Sequence, residues 1–165
     1  MGQLRTIMEE HGEQLIQLAY FYTKSYHAAE DIVQDVFITF HKSNYEERGQ
    51  LVAYLRKLTV NRSKDYLKSW SYRKLQLFDA WSGLSKRQHD RIVELEERSE
   101  IGAAVLSLPI HYREIILLYY FEEMSTPEIA ELLGESDSTV RTKLRRAREK
   151  LKPLLQQQWE VLHYE

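Results

Sequence analysis

The side chains best suited to chemistry lie near the C-terminal end of the chain, on one face of a predicted helix. Their helical spacing brings five polar residues together there: Ser138, Arg141, Thr142, Arg145 and Arg148. Arginine can donate two parallel hydrogen bonds to guanine in the major groove of DNA, and threonine can contact a base edge or a phosphate. This face therefore predicts binding to duplex DNA.

A second group of reactive side chains could in principle form a carboxylate metal site on a helix. It consists of Glu30, Asp31, Asp35 and His41. Glu30 and Asp31 point about 100° apart on a helix, however, and no second Glu-x-x-His pair supports them. The other histidines have no metal-ligand spacing, and the chain has no cysteine. We therefore expect no catalytic residue, no metal and no cofactor.

Positive charge is concentrated in two segments of a chain whose net charge is −2. Residues 56–74 carry seven bases and one acid, and residues 137–152 carry seven bases and two acids. Residues 120–135, by contrast, carry five glutamates and no base. Such segregation favours two separate contacts with a polyanion; the alternative is two solvated basic helix faces.

Apolar residues recur with helical spacing along most of the chain, and no segment alternates with a period of two. One such stripe comprises Leu51, Tyr54, Leu55 and Leu58. Residues 75–100 are poor in apolar side chains and rich in charge, which is typical of a linker. The pattern predicts an all-α fold of two small helical domains, residues 1–74 and 101–165, joined by a flexible linker.

Nothing in the sequence predicts direct membrane insertion. No apolar run reaches the roughly 18 residues that a spanning helix needs. Residues 1–10 also lack the long apolar core of a signal peptide. We therefore expect a cytoplasmic protein.

Residues 106–151 carry the signals of a helix-turn-helix. Ser125 and Glu128 have the spacing of a capping box. Pro127 falls in the first turn of the helix, where a backbone N–H would have no partner within the helix, so that its absence in proline costs nothing. Gly134 follows the last apolar residue of this helix and predicts its end. The residue that ends a helix often takes the left-handed conformation, which has a low energetic cost only for glycine. Two short helices joined by such a turn match the DNA-binding motif.

The second helix of this motif is expected to be capped by Asp137 or Ser138 and ended by Pro153. Its predicted buried stripe is Val140, Leu144, Ala147 and Leu151. The DNA-binding face lies opposite this stripe. A plain helical hairpin with a solvated basic face is the alternative.

The C-terminal domain resembles the promoter-reading domain of bacterial sigma factors of the extracytoplasmic-function group. The resemblance lies in Leu-Pro at Leu108, in Arg-Glu-Ile-Ile-Leu-Leu from Arg113, and in the Thr-Val-Arg…Arg-Arg-Ala-Arg-Glu-Lys-Leu segment from Thr139. It implies that the helix-turn-helix reads the −35 element of a promoter. Some response regulators have a similar helix-turn-helix, so an operator-binding transcriptional regulator is the alternative function.

The N-terminal half favours the sigma factor. Residues 28–37, Ala-Ala-Glu-Asp-Ile-Val-Gln-Asp-Val-Phe, look like the segment with which such sigma factors grip RNA polymerase. A stripe apart from the predicted core mixes acids with one apolar residue: Asp31, Gln34, Asp35 and Ile38. The resemblance implies core RNA polymerase as partner, through the basic coiled coil of its clamp. A solvated acidic face is the alternative.

Residues 55–67 look like the family segment that melts and reads the −10 element. One predicted helical stripe consists of Lys57, Asn61, Lys64 and Lys68. Asparagine can read a base edge, and lysines can bind phosphates on either side. Tyr45 and Arg48, in the preceding loop, are further candidates for contact with the −10 element. The family often has an aromatic residue followed directly by Arg-Gly, and here two glutamates separate the two.

Taken together, these features identify the chain as similar to an alternative sigma factor that directs core RNA polymerase to promoters. The resemblance also implies an anti-sigma factor as a partner. An operator-binding regulator would need a receiver or sensory domain, and the apolar strands of a receiver do not occur in the sequence.

Overall fold

A computed structural model describes residues 2–43, 45–46, 49–69 and 100–164, the last nine of these by their backbone only. Within these ranges all regular structure is helical, which confirms the all-α prediction. The helices are α1 (Gly2–Thr23), α2 (Tyr26–Lys42), α3 (Leu51–Lys68), α4 (Glu100–Ser107), α5 (Ile110–Ile116), α6 (Thr126–Leu133) and α7 (Asp137–Tyr164). They fall into two compact units, α1–α3 and α4–α7.

The first unit is a three-helix bundle in which α1 packs against both α2 and α3. Helix α1 contributes large fully buried side chains, among them Tyr20 and Tyr22. The apolar spacing of α2 predicts a buried stripe of Ile32, Val33, Val36, Phe37 and Phe40; the first four are buried and Phe40 is only partly buried. Because one face of α2 is used for this core, its opposite face remains open to solvent.

Helix α3 buries a different face from the predicted stripe of Leu51, Tyr54, Leu55 and Leu58. Leu55 is fully buried as expected, but Leu51 and Leu58 are only partly buried. The buried face continues instead through Thr59, Val60 and Ser63. A threonine is tolerated there because its hydroxyl donates to the Leu55 carbonyl, 2.8 Å away, within the helix itself. This rotation keeps the charged side of α3 in solvent.

In the second unit, α5 passes directly into one π-helical turn, Leu117–Phe121. The Glu122 N–H reaches back five residues to the Leu117 carbonyl, at 3.1 Å, so the turn holds one residue more than an α-turn. The segment then ends with Glu123 in the left-handed conformation, at φ 54°. No sequence pattern predicts this turn, which sets the positions of Tyr119 and Tyr120.

The helix-turn-helix has the predicted geometry. The Ser125 hydroxyl accepts from the Glu128 N–H at 3.3 Å, and the Glu128 carboxylate accepts from the Ser125 N–H at 3.1 Å. This completes the capping box of α6. Gly134 ends the helix at φ 67°, ψ 34°, the left-handed cap that was expected. The first helix and the turn therefore follow from local sequence alone.

Two predictions for α7 are wrong. The N-cap is Ser136, whose hydroxyl accepts from the Thr139 N–H at 3.2 Å, and neither Asp137 nor Ser138 takes this position. Pro153 also lies inside the helix, which continues to Tyr164. Proline removes a backbone donor and crowds the preceding turn. Burial of Leu155 beyond it extends the apolar contact and opposes this cost.

Candidate nucleic-acid and polymerase interfaces

The face of α7 predicted to bind DNA lies opposite a fully formed buried stripe. Every predicted core residue of α7 is at most 4% exposed, and the stripe is Val140, Leu144, Ala147 and Leu151. Ser138, Arg141 and Arg145 are exposed, whereas Thr142 and Arg148 are partly buried. The packing therefore fixes which side chains of α7 are available to a ligand.

The members of this face differ in their local partners. Arg141 Nε lies 2.9 Å from Asp137 Oδ2, one helical turn earlier. The Thr142 hydroxyl donates to the Ser138 carbonyl at 2.9 Å. Arg145 makes no hydrogen bond or ion pair within the described ranges, so all its donors are open to a ligand. Arg145 is therefore the one arginine of this face without a local partner in the described ranges.

Arg148 lies at the edge of the face and is held by the π-helical turn. Its Nε donates to the Tyr120 hydroxyl at 2.7 Å. Its guanidinium carbon lies 5.4 Å from the centre of the Tyr119 ring and 5.6 Å from that of Tyr120. Sequence spacing missed this contact, because only the π-helical turn brings the two rings to α7.

The predicted stripe on α3 is also exposed to solvent. Lys57, Asn61 and Lys68 are exposed, and Lys64 is partly buried. Arg62 lies beside this stripe and donates to the Thr39 hydroxyl of α2 at 3.2 Å. Arg62 therefore ties two helices together, while the asparagine and lysines remain on an open basic surface.

An aromatic cluster lies at the N-terminal end of α3. The Tyr45 and Tyr54 rings stack with centres 4.8 Å apart, and Phe40 lies 5.6 Å from Tyr45. The Tyr45 hydroxyl oxygen is buried and has no hydrogen-bond partner in the part of the chain that is described. Tyr45 therefore packs against its own domain. Arg48, the other loop candidate, lies outside the described residues.

The acidic stripe on α2 is a continuous solvent-exposed surface. Asp31, Gln34 and Asp35 are exposed. Ile38, on the same stripe, is 46% exposed and is one of the few large apolar side chains so open to solvent in the described residues. Acids around one exposed apolar residue suit a protein partner with a basic surface.

The described residues offer neither a metal site nor a membrane span. No three histidine, aspartate or glutamate side chains lie close enough together there to hold a metal ion. None of the helices is both long and apolar enough to cross a bilayer.

Comparison with known families finds sigma-factor sequence in both units. Residues 7–71 match the family described as Sigma-70 region 2, and residues 98–151 match that described as Sigma-70, region 4. The first match includes all of α2 and α3 and the second includes the whole helix-turn-helix. A match in both halves does not fit an operator-binding regulator, which would need a different N-terminal domain.

Individual proteins give the same result over most of the chain. RNA polymerase sigma factor SigV of Bacillus subtilis is 30% identical over 146 residues, which cover 87% of this chain and 86% of that protein. The ECF RNA polymerase sigma factor SigW of the same organism is 28% identical, covering 90% of this chain and 87% of that one. A probable RNA polymerase sigma factor of Xanthomonas campestris pv. campestris, RfaY, is 30% identical, and the match spans only 37% of its length.

Among solved structures, CnrH in complex with the cytosolic domain of CnrY is similar, with a TM-score of 0.61 and 25% identity. The similarity covers 92% of this chain and 86% of CnrH. The exposed face of the helix-turn-helix, the two family matches and these relatives lead to one conclusion. The chain belongs to the extracytoplasmic-function group of RNA polymerase sigma factors, the transcription initiation factors that direct the polymerase to promoters.

Proposed function

We propose that the two units divide the work of promoter recognition between three surfaces. The α2 stripe docks on the polymerase, the α3 stripe contacts the −10 element, and the α7 face contacts the −35 element. In terms of sequence, residues 1–74 carry the first two tasks, residues 101–165 carry the third, and residues 75–100 link them. The observation that carries this proposal is the exposure of Arg141 and Arg145 opposite the buried stripe of α7.

On the −35 element, Arg145 is the proposed base reader. It is exposed and has no internal partner among the described residues, so DNA need not displace an existing contact. Arg141 enters the major groove beside it, after exchanging its ion pair with Asp137 for DNA. That exchange costs little, because the pair is exposed and such pairs contribute at most about 1 kcal/mol. Ser138 and Thr142 complete the groove-facing set.

On the −10 element, Asn61 is the proposed base reader of α3. An asparagine amide both donates and accepts, so it can pair with the edge of a base. The exposed Lys57 and Lys68 lie on either side of it along the helix and would bind flanking phosphates, with Lys64 between them. Tyr45, and Arg48 outside the described residues, are proposed as supporting contacts with the DNA. Stacking on Tyr54 keeps the Tyr45 ring fixed.

At the polymerase, Asp31, Gln34, Asp35 and Ile38 are proposed to contact the basic coiled coil of the clamp. The acids steer the encounter, and Ile38 supplies the apolar area that is lost from water on docking. Because the polymerase performs the chemistry, the chain itself needs no catalytic residue or cofactor. We place its action in the cytoplasm, where bacterial transcription occurs.

An anti-sigma factor is the proposed regulatory partner. The family resemblance implies it, and CnrH, which is similar over most of this chain, was solved bound to the cytosolic domain of another protein. The exposed Ile38 surface would be available to either the polymerase or such a protein, which makes competition between them a simple mode of control.

Matched variants in the reconstituted holoenzyme test the proposal. A −35 sequence is first selected from random DNA by core polymerase bound to this chain. Arg145→Ala should then lose about 1–3 kcal/mol of binding to the selected sequence and discriminate less against altered ones. Arg146→Ala, which removes an adjacent exposed arginine, should weaken binding equally on all sequences. If both variants weaken binding uniformly, Arg145 does not read a base.

A second pair tests the polymerase surface. Asp35→Ala should weaken capture of the chain by core polymerase, because it removes charge from the docking stripe. Glu30→Ala removes the same charge from an exposed position outside that stripe, and should leave capture unchanged. Equal loss of capture in both variants would indicate a general effect of net charge and not specific docking.

A further inference from the structure

Arg148 differs from two other cations near the α7 face, Arg141 and Lys143, in the kind of group that holds it. Arg141 is paired with Asp137, and Lys143 is paired with Glu135. Arg148 instead donates to a neutral phenol, the Tyr120 hydroxyl, and is not ion-paired within the described residues. Its positive charge is therefore fixed in place without being neutralised.

The contacts also leave the outer edge of the guanidinium unused. Arginine has five N–H donors, and the hydrogen bond to Tyr120 uses the one on Nε. The four donors on the two terminal nitrogens make no hydrogen bond within the described residues. The Tyr119 and Tyr120 rings meet edge to face, with centres 4.9 Å apart and planes at 79°, and the guanidinium lies near both. Rotation of the side chain is thus restricted while a forked pair of donors stays free.

The position of Arg148 on α7 relates this fork to the proposed DNA face. Arg148 follows Arg141 by seven residues, so it lies on the same side of the helix about 10 Å further along. It is partly buried beside the stripe of Leu144 and Leu151, at the margin of the groove-facing set. A side chain at the margin of a recognition helix lies nearer to the DNA backbone than to the base edges.

We propose that Tyr120 and Tyr119 preorganise Arg148 as a clamp for one DNA phosphate, with Tyr120 as the positioning residue. This deepens, and rests on, the proposed −35 function. A planar guanidinium whose two terminal nitrogens are free to donate matches the geometry of a phosphate. Because the clamp is formed before DNA arrives, less side-chain entropy is lost on binding. Arg148 thus contributes affinity and register, and Arg145 contributes sequence discrimination.

The test uses holoenzyme made from core polymerase and the full chain, with duplex DNA selected as above and a copy altered at −35. Affinity is measured at several salt concentrations. Tyr120→Phe removes only the hydroxyl that positions Arg148, and should weaken binding about two- to tenfold on both duplexes. Tyr119→Phe is the matched control, since the Tyr119 hydroxyl has no hydrogen-bond partner in the described part of the chain; it should bind like wild type.

Arg148→Gln keeps much of the side chain and removes its charge. It should lower the slope of log affinity against log salt by about 0.9, the value for one lost phosphate contact. In the Arg148→Gln background, Tyr120→Phe should have no further effect, because its action passes through Arg148. Thermal unfolding of each variant separates loss of stability from loss of binding. If the contact between Arg148 and Tyr120 only stabilised the fold, its removal would change the melting temperature but not the salt slope.

Three results would contradict the proposed clamp: unchanged DNA binding by Tyr120→Phe, an unchanged salt slope in Arg148→Gln, or a loss of binding confined to one of the two DNA sequences. The last would make Arg148 a base reader. If wild-type holoenzyme selects no DNA sequence, the proposed function itself fails, and the clamp fails with it. Failure of the clamp alone leaves selection by the wild type and the Arg145→Ala result intact.

Discussion

Gly134→Ala is the sharpest test of the turn that connects α6 to α7. Gly134 is left-handed, at φ 67° and ψ 34°, and ends α6 with its N–H bonded to the Ala130 carbonyl. A Cβ built on Gly134 meets no atom within 4 Å. The substitution therefore introduces no collision with a neighbour, and its whole cost is the strain of an alanine in the left-handed conformation.

That strain sets the expected magnitude. A left-handed L-residue costs roughly 1–2 kcal/mol, and alanine recovers about 0.4–1 kcal/mol by restricting the unfolded chain. The net loss should be about 1 kcal/mol in the free energy of unfolding of the second unit. For a domain of roughly 60–100 residues this lowers the melting temperature by about 4–8 °C.

Gly12→Ala is the same chemical change with the opposite expected sign. Gly12 lies in the interior of α1, and a Cβ there meets Phe37 Cε2 at 3.9 Å, an ordinary contact. Alanine should therefore gain about 0.5–1 kcal/mol of helix stability. Calorimetry gives the melting temperatures, and hydrogen exchange of peptides from α1 and α6 assigns each change to its unit. If Gly134→Ala is neutral, or if both variants shift stability in one direction, the conformational argument is wrong.

Three further predictions concern a helix cap, the continuity of α7 and base reading at the −10 element. Ser125→Ala removes the hydroxyl of the capping box and should lower the stability of the second unit by about 1 kcal/mol, measured by chemical denaturation. Pro153→Ala should raise helicity and melting temperature, because proline inside a helix costs up to about 3 kcal/mol relative to alanine; unchanged circular dichroism would mean that α7 ends there. Asn61→Ala should weaken opening at −10 in a permanganate footprint and leave binding to an isolated −35 duplex unchanged, whereas a loss at both elements would argue against its proposed role.

Local sequence predicted most of the helix-turn-helix because its signals are local. The capping box at Ser125 and the left-handed cap at Gly134 each depend on a few neighbouring residues, and both were confirmed. The end of α7 was mispredicted, because the local penalty of Pro153 competes with tertiary burial of Leu155. Its start was mispredicted because several adjacent hydroxyl and carboxyl side chains can cap a helix, and Ser136 does so.

The packing of the first unit shows a second limit. The helical spacing of apolar residues predicted the wrong buried face for α3, since Thr59 and Ser63 lie in the core while Leu51 and Leu58 remain partly exposed. Small hydroxyl side chains can be buried when the helix backbone satisfies them, as Leu55 does for Thr59. The hydrophobicity of the side chains alone therefore does not predict the burial of Thr59 and Ser63.

The candidate site was predictable wherever it depends on helical periodicity. Spacing alone placed Asp31, Asp35 and Ile38 on one exposed stripe of α2, and exposure of that stripe is confirmed. Spacing did not predict that Arg148 is held by Tyr120. This contact joins residues that are far apart in sequence, and it depends on an extra residue in a π-helical turn. The roles of the α2 stripe and of Arg148 in binding remain predictions.

Transcription in vitro is the most direct test of the central claim. Core RNA polymerase would be incubated with this chain and a library of random promoter fragments, and the 5′ ends of all transcripts would be sequenced. We expect starts that core polymerase alone does not make, preceded by two shared sequence blocks, with the upstream block relaxed by Arg145→Ala. If the chain adds no starts to those of core polymerase, it does not direct the polymerase to promoters.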